Sequence, residues 1–278
     1  MKPVGQTFDY DRFKFYLKSY VGEHRRHLLI LTLLVAMLPT FLMCVYTWLF
    51  QDDYQFSDQY WSSDIDPMAV SLIPLITLLC MVMSAFAGSR MFSVLSTKHS
   101  RENFLTLPAS SLEKFTALLV IYFVAFFVLM TVSIFAADFT RRFLFFYLGP
   151  HVDFIFMPST LKEFLDAGWW VRVIISFIGY FGCILSTYAV GSTLWPRHSF
   201  IVTFVATSAL QIVWLILFLS VILPLNLFGG SFEPRFDLHF LNEKIILGLL
   251  IAFEVVYMVG CFVFCYFRMK QWEIISRW

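Results

Sequence analysis

Six long apolar runs, at about 28–50, 67–88, 115–137, 169–194, 200–224 and 245–267, alternate with short polar segments along the chain. Each run holds 22 to 26 residues, and about 20 residues of α-helix cross the hydrocarbon core of a bilayer. The pattern predicts an all-α membrane protein with six transmembrane helices. The first run is too long for a signal-peptide core and has no small-residue cleavage site after it, so it is expected to be retained. Pro39, Pro74 and Pro224 fall inside three of the runs and predict kinks. Residues 1–27 have a different period. Phe13, Tyr16, Leu17, Tyr20 and Val21 recur at helical spacing, with Asp11, Arg12, Lys14 and Lys18 on the other side, which predicts an N-terminal interfacial amphipathic helix. The expected organisation is a cytoplasmic segment 1–27, a six-span domain 28–267 and a cytoplasmic tail 268–278.

The polar island between the second and third runs, Arg90 to Lys114, has the most legible punctuation. Ser100 can cap a short helix through Arg101, Glu102, Asn103, Phe104 and Leu105, because its hydroxyl accepts a backbone N–H that a helix start leaves unpaired. Pro108 ends that helix and pushes Leu107 out of the helical region. Ser110 and Glu113 then stand at capping-box spacing and open the next helix, with Lys114 beside them. A short helix, a fixed corner and a long helix are expected in that order.

Leu107-Pro108-Ala109-Ser110 followed by Glu113-Lys114, after a short cytoplasmic helix and before the third span, resembles the coupling-helix region of ABC type-2 exporter permeases, particularly the small Bacteroidetes-like branch. The motif covers about 25 residues and the layout of spans covers the whole chain. The resemblance implies a permease subunit of an ATP-driven exporter in a bacterial inner membrane. It implies two partners: a separate ATP-binding subunit docked on residues 100–114, and a second permease subunit, in a homodimer or a heterodimer. It also implies a helix on the cytoplasmic surface ahead of the first span.

Composition agrees with the membrane class: 59% of residues are hydrophobic and 14% charged, with a mean hydropathy of +0.76. A net charge of +1 gives no sign of nucleic-acid binding, and what matters is where the charges sit. With the N-terminus inside, the inner segments hold fourteen Lys and Arg and the outer segments five. Both termini are therefore expected in the cytoplasm. Trp48, Trp61, Trp169, Trp170, Trp195 and Trp272 lie at or near span ends, where amphipathic rings favour the headgroup level. Cys44, Cys80, Cys183, Cys261 and Cys265 all lie in apolar runs and read as small hydrophobes.

Chemistry is sparse. The first outer loop carries Asp52, Asp53, Asp58, Asp64 and Asp66 at spacings that match no calcium-loop template, and reads as a solvated acidic loop. Thr160 and Glu163 form another capping box in the second outer loop, expected to open a short helix on the outer face. Gly229, Gly230 and Pro234 mark a turn-rich last loop. The six histidines all fall outside the spans, and neither a hydrolase nor a zinc-protease motif occurs, so the chain is not expected to be an enzyme. It has no P-loop, so any ATP-driven motor is another polypeptide, and no cofactor is expected on this chain. Within the fourth run, Gly179, Gly182, Ser186 and Gly191 provide small-xxx-small spacings, of which Gly182 with Ser186 and Thr187 with Gly191 are the pairs. Glu254 is the acidic residue well inside a span; Gln211 at similar depth is a candidate partner, and Arg172 lies nearer the outer surface. Glu254 either lines a polar patch at a subunit or substrate interface or is a neutral acid bonded to a neighbouring helix. A non-transporting scaffold or sensor subunit and an ATP-independent carrier are the other functions this sequence accommodates.

Overall fold

The computed structural model describes residues 8–50, 69–96, 104, 109–148, 155, 167–228 and 243–275. Among them the structure is helical with no strand: α1 (Tyr10–Glu23), α2 (Arg25–Leu49), α3 (Ala69–Met91), α4 (Ser111–Leu119), a π-helical turn (Val120–Ala125), α5 (Phe126–Leu144), α6 (Ala167–Leu194), α7 (Ser199–Phe228) and α8 (Glu243–Ile275), with 3₁₀ turns at Ser93–Leu95 and Phe146–Leu148. Six helical segments are long and apolar enough to cross a membrane, so the chain is a multi-pass membrane protein. The acidic first loop, the Thr160–Glu163 box and the Gly229–Pro234 turn lie outside the described residues. The prolines at 39 and 74 sit inside continuous helices.

The third span is longer than its apolar run. Helix begins at Ser111, where Ser110 caps it, and continues to Leu144. The helix does not stop where the apolar run stops: Asp138 and Arg141 stand one turn apart on α5 and meet at 3.4 Å. Asp138 also accepts from the backbone N–H of Ile155 at 2.9 Å. Both side chains are fully buried, so neither belongs to a solvated loop. The last helix likewise runs on through the expected tail as far as Ile275.

The chain forms two compact units, one of Met1–Ala87 with Thr106–Leu185 and the other of Gly88–Leu105 with Ser186–Trp278. In the first unit, α2 and α5 pack along their lengths. Val35, Pro39, Met43 and Thr47 form the buried stripe of α2, while Met130, Ile134, Ala137 and Arg141 are among the buried residues of α5, each set repeating at three or four positions. Cys44 and Tyr46, near the end of α2, pack with Leu72, Phe145 and Ile155.

In the second unit α6 and α7 form a hairpin around Trp195–His198. Ser199 donates to the carbonyl of Ser89 at 2.8 Å, and the rings of Tyr188 and Phe200 lie 5.7 Å apart. Gly191 of α6 faces Thr203 of α7. A Cβ at Gly191 would lie 2.7 Å from the Thr203 Cβ and 2.8 Å from its Cγ2. The small residue at 191 therefore serves packing within one chain. Gly191→Ala is expected to destabilise the protein by about 1–3 kcal/mol through overpacking, and adding Thr203→Gly should recover part of the loss. Thermal aggregation of detergent-solubilised protein measures both; no recovery in the double variant would mean that Thr203 does not impose the limit.

Candidate functional site

The site is the corner at which α1 meets the start of the third span. Ser110 takes an extended conformation, and its hydroxyl accepts the Glu113 N–H at 3.2 Å. Glu113 returns the bond: its Oε2 accepts the Ser110 N–H at 2.8 Å, completing the capping box. The other oxygen leaves the local motif. Glu113 Oε1 accepts the backbone N–H of Asp9 at 2.9 Å and lies 3.3 Å from Arg12 Nη2.

Asp9 is itself the N-cap of α1, its side chain accepting the Asp11 N–H at 3.0 Å. Arg12 Nε lies 3.6 Å from Asp9 Oδ2, so the guanidinium bridges the two carboxylates. One carboxylate therefore serves the starts of two helices distant in sequence. Glu113 has no exposure at all. A buried anion is tolerable only where paired and hydrogen-bonded, and here two backbone N–H groups and a guanidinium supply that. Lys114 is buried as well and has interactions of its own.

Beyond this polar corner the contact between α1 and α4 becomes aromatic. Tyr16 and Tyr20, one turn apart, are buried. Tyr122, in the π-helical turn, is buried beside Tyr20. Burial pushes the Tyr16 hydroxyl well above its ordinary pKa, with Glu23 adding to the effect. Burial does the same to Tyr20, with Tyr122 as the next cause. The Tyr20 ring also stacks on His24 with centroids 4.3 Å apart. His24 closes α1 and opens α2, and its Nδ1 lies 3.2 Å from the Tyr20 carbonyl. The Tyr16–Tyr20 side of α1, expected to face the membrane, is thus packed against protein.

The residues singled out from the sequence meet different outcomes. Ser110, Glu113 and Lys114 are brought together at the corner. Phe104, expected on the short helix of the docking loop, is buried at 3% exposure. Arg101, Glu102, Asn103, Leu105, Leu107 and Pro108 lie outside the described residues, as does the side chain of Arg172. Gly182, Ser186 and Gly191 are buried and Gly179 is half-buried. Glu254 lies in the stripe of buried and half-buried residues Ile251, Met258, Cys261, Cys265 and Met269 on α8. Tyr257, one turn on, meets the Thr187 hydroxyl of α6 at 2.8 Å, and Cys265 lies within hydrogen-bond reach of Thr193. That stripe points toward α6, whereas Gln211 is exposed on α7. Asp9, Tyr122, Asp138 and Arg141 were not anticipated, and Arg12 was expected only on the polar side of the N-terminal helix; the Asp-x-x-Arg spacing at 9–12 and at 138–141 is the signal in the sequence that marks both pairs.

Among the described residues no group of three or more His, Cys, Asp or Glu is assembled for a metal ion. Comparison with known proteins finds no match: no family model, curated protein or solved structure is similar to the chain.

Glu113→Ala is expected to undock α1, because it leaves the Asp9 and Ser110 N–H groups without their acceptor and Arg12 with only one of its two carboxylates, a loss of about 3 kcal/mol. Limited trypsin digestion at Lys14 and Lys18 should accelerate more than tenfold, while Ser110→Ala, removing one cap bond, should cost about 1 kcal/mol. Unchanged cleavage in Glu113→Ala would show that α1 is held by other means. Docking should also depend on pH. The buried tyrosines ionise later than free ones, so the stabilisation is intact below the ordinary tyrosine pKa of about 10 and declines as pH rises above it. A wild-type digestion rate that stayed flat above that pH would remove Tyr16 and Tyr20 from the linkage.

Proposed function

We propose that the chain is the transmembrane permease subunit of an ATP-driven, ABC-type exporter, with both termini in the cytoplasm and the ATPase on a separate chain docked at residues 100–114. The observation that carries this reading is the buried Glu113 corner: a polar loop is followed at once by a double cap that fastens α1 to the first turn of the third span. A displacement delivered to the loop is passed to both helices with little compliance, as a motor-coupled segment requires. The chain also crosses from one compact unit to the other within this loop, between Leu105 and Thr106.

In this mechanism ATP-driven closure of the motor moves the 100–107 segment. The Ser110–Glu113 cap transmits the movement to the third span, and the permease opens toward the cargo. Few ionisable side chains occur at depth in the spans, which favours a lipid-like or amphiphilic cargo over a small ion. Phe104 is buried, which favours the charged Arg101 and Glu102 as the motor-facing pair. The interfacial placement of α1 and a second permease subunit complete the assembly.

A double change at Arg101 and Glu102 should abolish co-purification of the ATPase while leaving membrane insertion intact; retention of the ATPase would remove the loop from the docking surface. Orientation has its own test. A cysteine at position 58 should react with an impermeant reagent from outside, and one at position 98 only after permeabilisation. External reaction at 98 would invert the topology.

A further inference from the structure

With Tyr16 and Tyr20 turned into the protein, the opposite side of α1 is open. Lys14 and Lys18, one turn apart, are exposed on it. Beside them runs a second apolar edge of Tyr10, Leu17 and Val21, spaced for one helix face; Tyr10 is 68% and Val21 41% exposed. Phe15, 70% exposed, flanks the lysines on the other side. Arg25 and Arg26 follow directly at the start of α2 and are also exposed. Among the described residues none of these four basic side chains has a carboxylate partner, and the nearby exposed acids are Asp9, which pairs with Arg12, Asp11 and Glu23. Arg12, by contrast, is already committed to Asp9 and Glu113.

The depth of this surface follows from α2. Arg26 continues the exposed stripe Ile30, Leu33, Met37 and Phe41, which ends at Trp48. Arg26 and Trp48 are separated by roughly 33 Å along the helix, close to the hydrocarbon thickness of about 30 Å. A cation at one end of a lipid-facing stripe and an indole at the other is how a span registers against its two interfaces. Arg26 therefore marks the headgroup level, and α1, joined to α2 through His24 alone, begins there.

We propose that the Lys14–Lys18 face of α1, with Arg25 and Arg26, is a docking surface for anionic phospholipid headgroups. The apolar edge of Tyr10, Leu17 and Val21 enters the boundary of the acyl chains, and the lysine stems lie along it with their ammonium groups on lipid phosphates. Charge complementarity selects the occupant, since four exposed cations beside an apolar edge match a negatively charged leaflet better than a protein groove or a neutral lipid. Because Glu113 fastens α1 to the third span, lipid bound here bears on the position of that span. The inference does not depend on the exporter reading.

The test uses the full chain in bilayers and needs no ATPase. Gly22 has open space around its would-be Cβ, so Gly22→Cys can carry an environment-sensitive fluorophore on α1 without a clash. Labelling of the unsubstituted chain gives the background from the native cysteines. Quenching is compared for phosphatidylglycerol and phosphatidylcholine, each bearing a nitroxide on the upper acyl chain, in neutral bilayers. Phosphatidylglycerol is expected to quench at several-fold lower mole fraction. Lys14→Gln and Lys18→Gln should each reduce that preference by up to about fivefold, and high salt should erase it in the wild type. Equal quenching by the two lipids, a wild-type preference in the double variant, or displacement of the lipid by millimolar inorganic phosphate would each overturn the proposal. No quenching by either lipid would place α1 away from the surface and overturn it as well.

Discussion

A single carboxylate holds the described part of the first unit together at one end. Helix starts leave backbone N–H groups unpaired, and most helices satisfy them locally. Here Glu113 completes the cap of α4 with one oxygen and uses the other to receive the N-cap residue of α1 and the guanidinium of Arg12. The sharing is economical because a carboxylate has lone pairs for all of these donors at once. It also makes the corner cooperative, since the pieces are ordered together or exposed together. The tyrosine contacts farther along α1 depend on it, because they need α1 at a fixed angle to the third span.

The far end of the same span uses the same physics differently. Asp138 and Arg141 are both without exposure and answer each other on one helix, with the Ile155 N–H as a further donor to Asp138. The third span is thus bracketed by a compensated carboxylate at each end, with apolar packing against α2 between them. A charge within or beside a transmembrane helix is ordinarily costly. Each of these is retained where its partners are fixed by helix geometry, at i to i+3 spacing or at a helix start, so that little extra ordering is required.

The sequence announced what local rules govern. Ser110 and Glu113 stand three apart ahead of an apolar run, and the box they predict is present with both of its bonds. Six apolar runs of sufficient length correspond to six helical segments able to span a membrane. What one sequence could not reveal is which distant group shares a local motif. Asp9 and Glu113 are 104 positions apart, and nothing in either neighbourhood points to the other. Amphipathicity had a similar blind spot: the spacing of Tyr16 and Tyr20 identifies an apolar face but is silent on whether lipid or protein covers it. Phe104 is buried, which its place in a polar segment did not indicate. The helix continues through Asp138, since a charge ends an apolar run on a hydropathy scale without ending a helix.

The wide turn at Val120–Ala125 has a geometric consequence for the whole third span. A π-turn holds one residue more than an α-turn, so everything beyond it lags by about 100° relative to an unbroken helix. The buried residues before it, Glu113, Ala117 and Leu118, belong to the half that meets α1, and those after it, Met130, Ile134 and Ala137, to the half that meets α2. The two halves are out of phase with each other, like the lobes of a camshaft. Spinning the span about its long axis to improve one contact would unseat the other, so the contacts with α1 and α2 together oppose axial rotation of the third span.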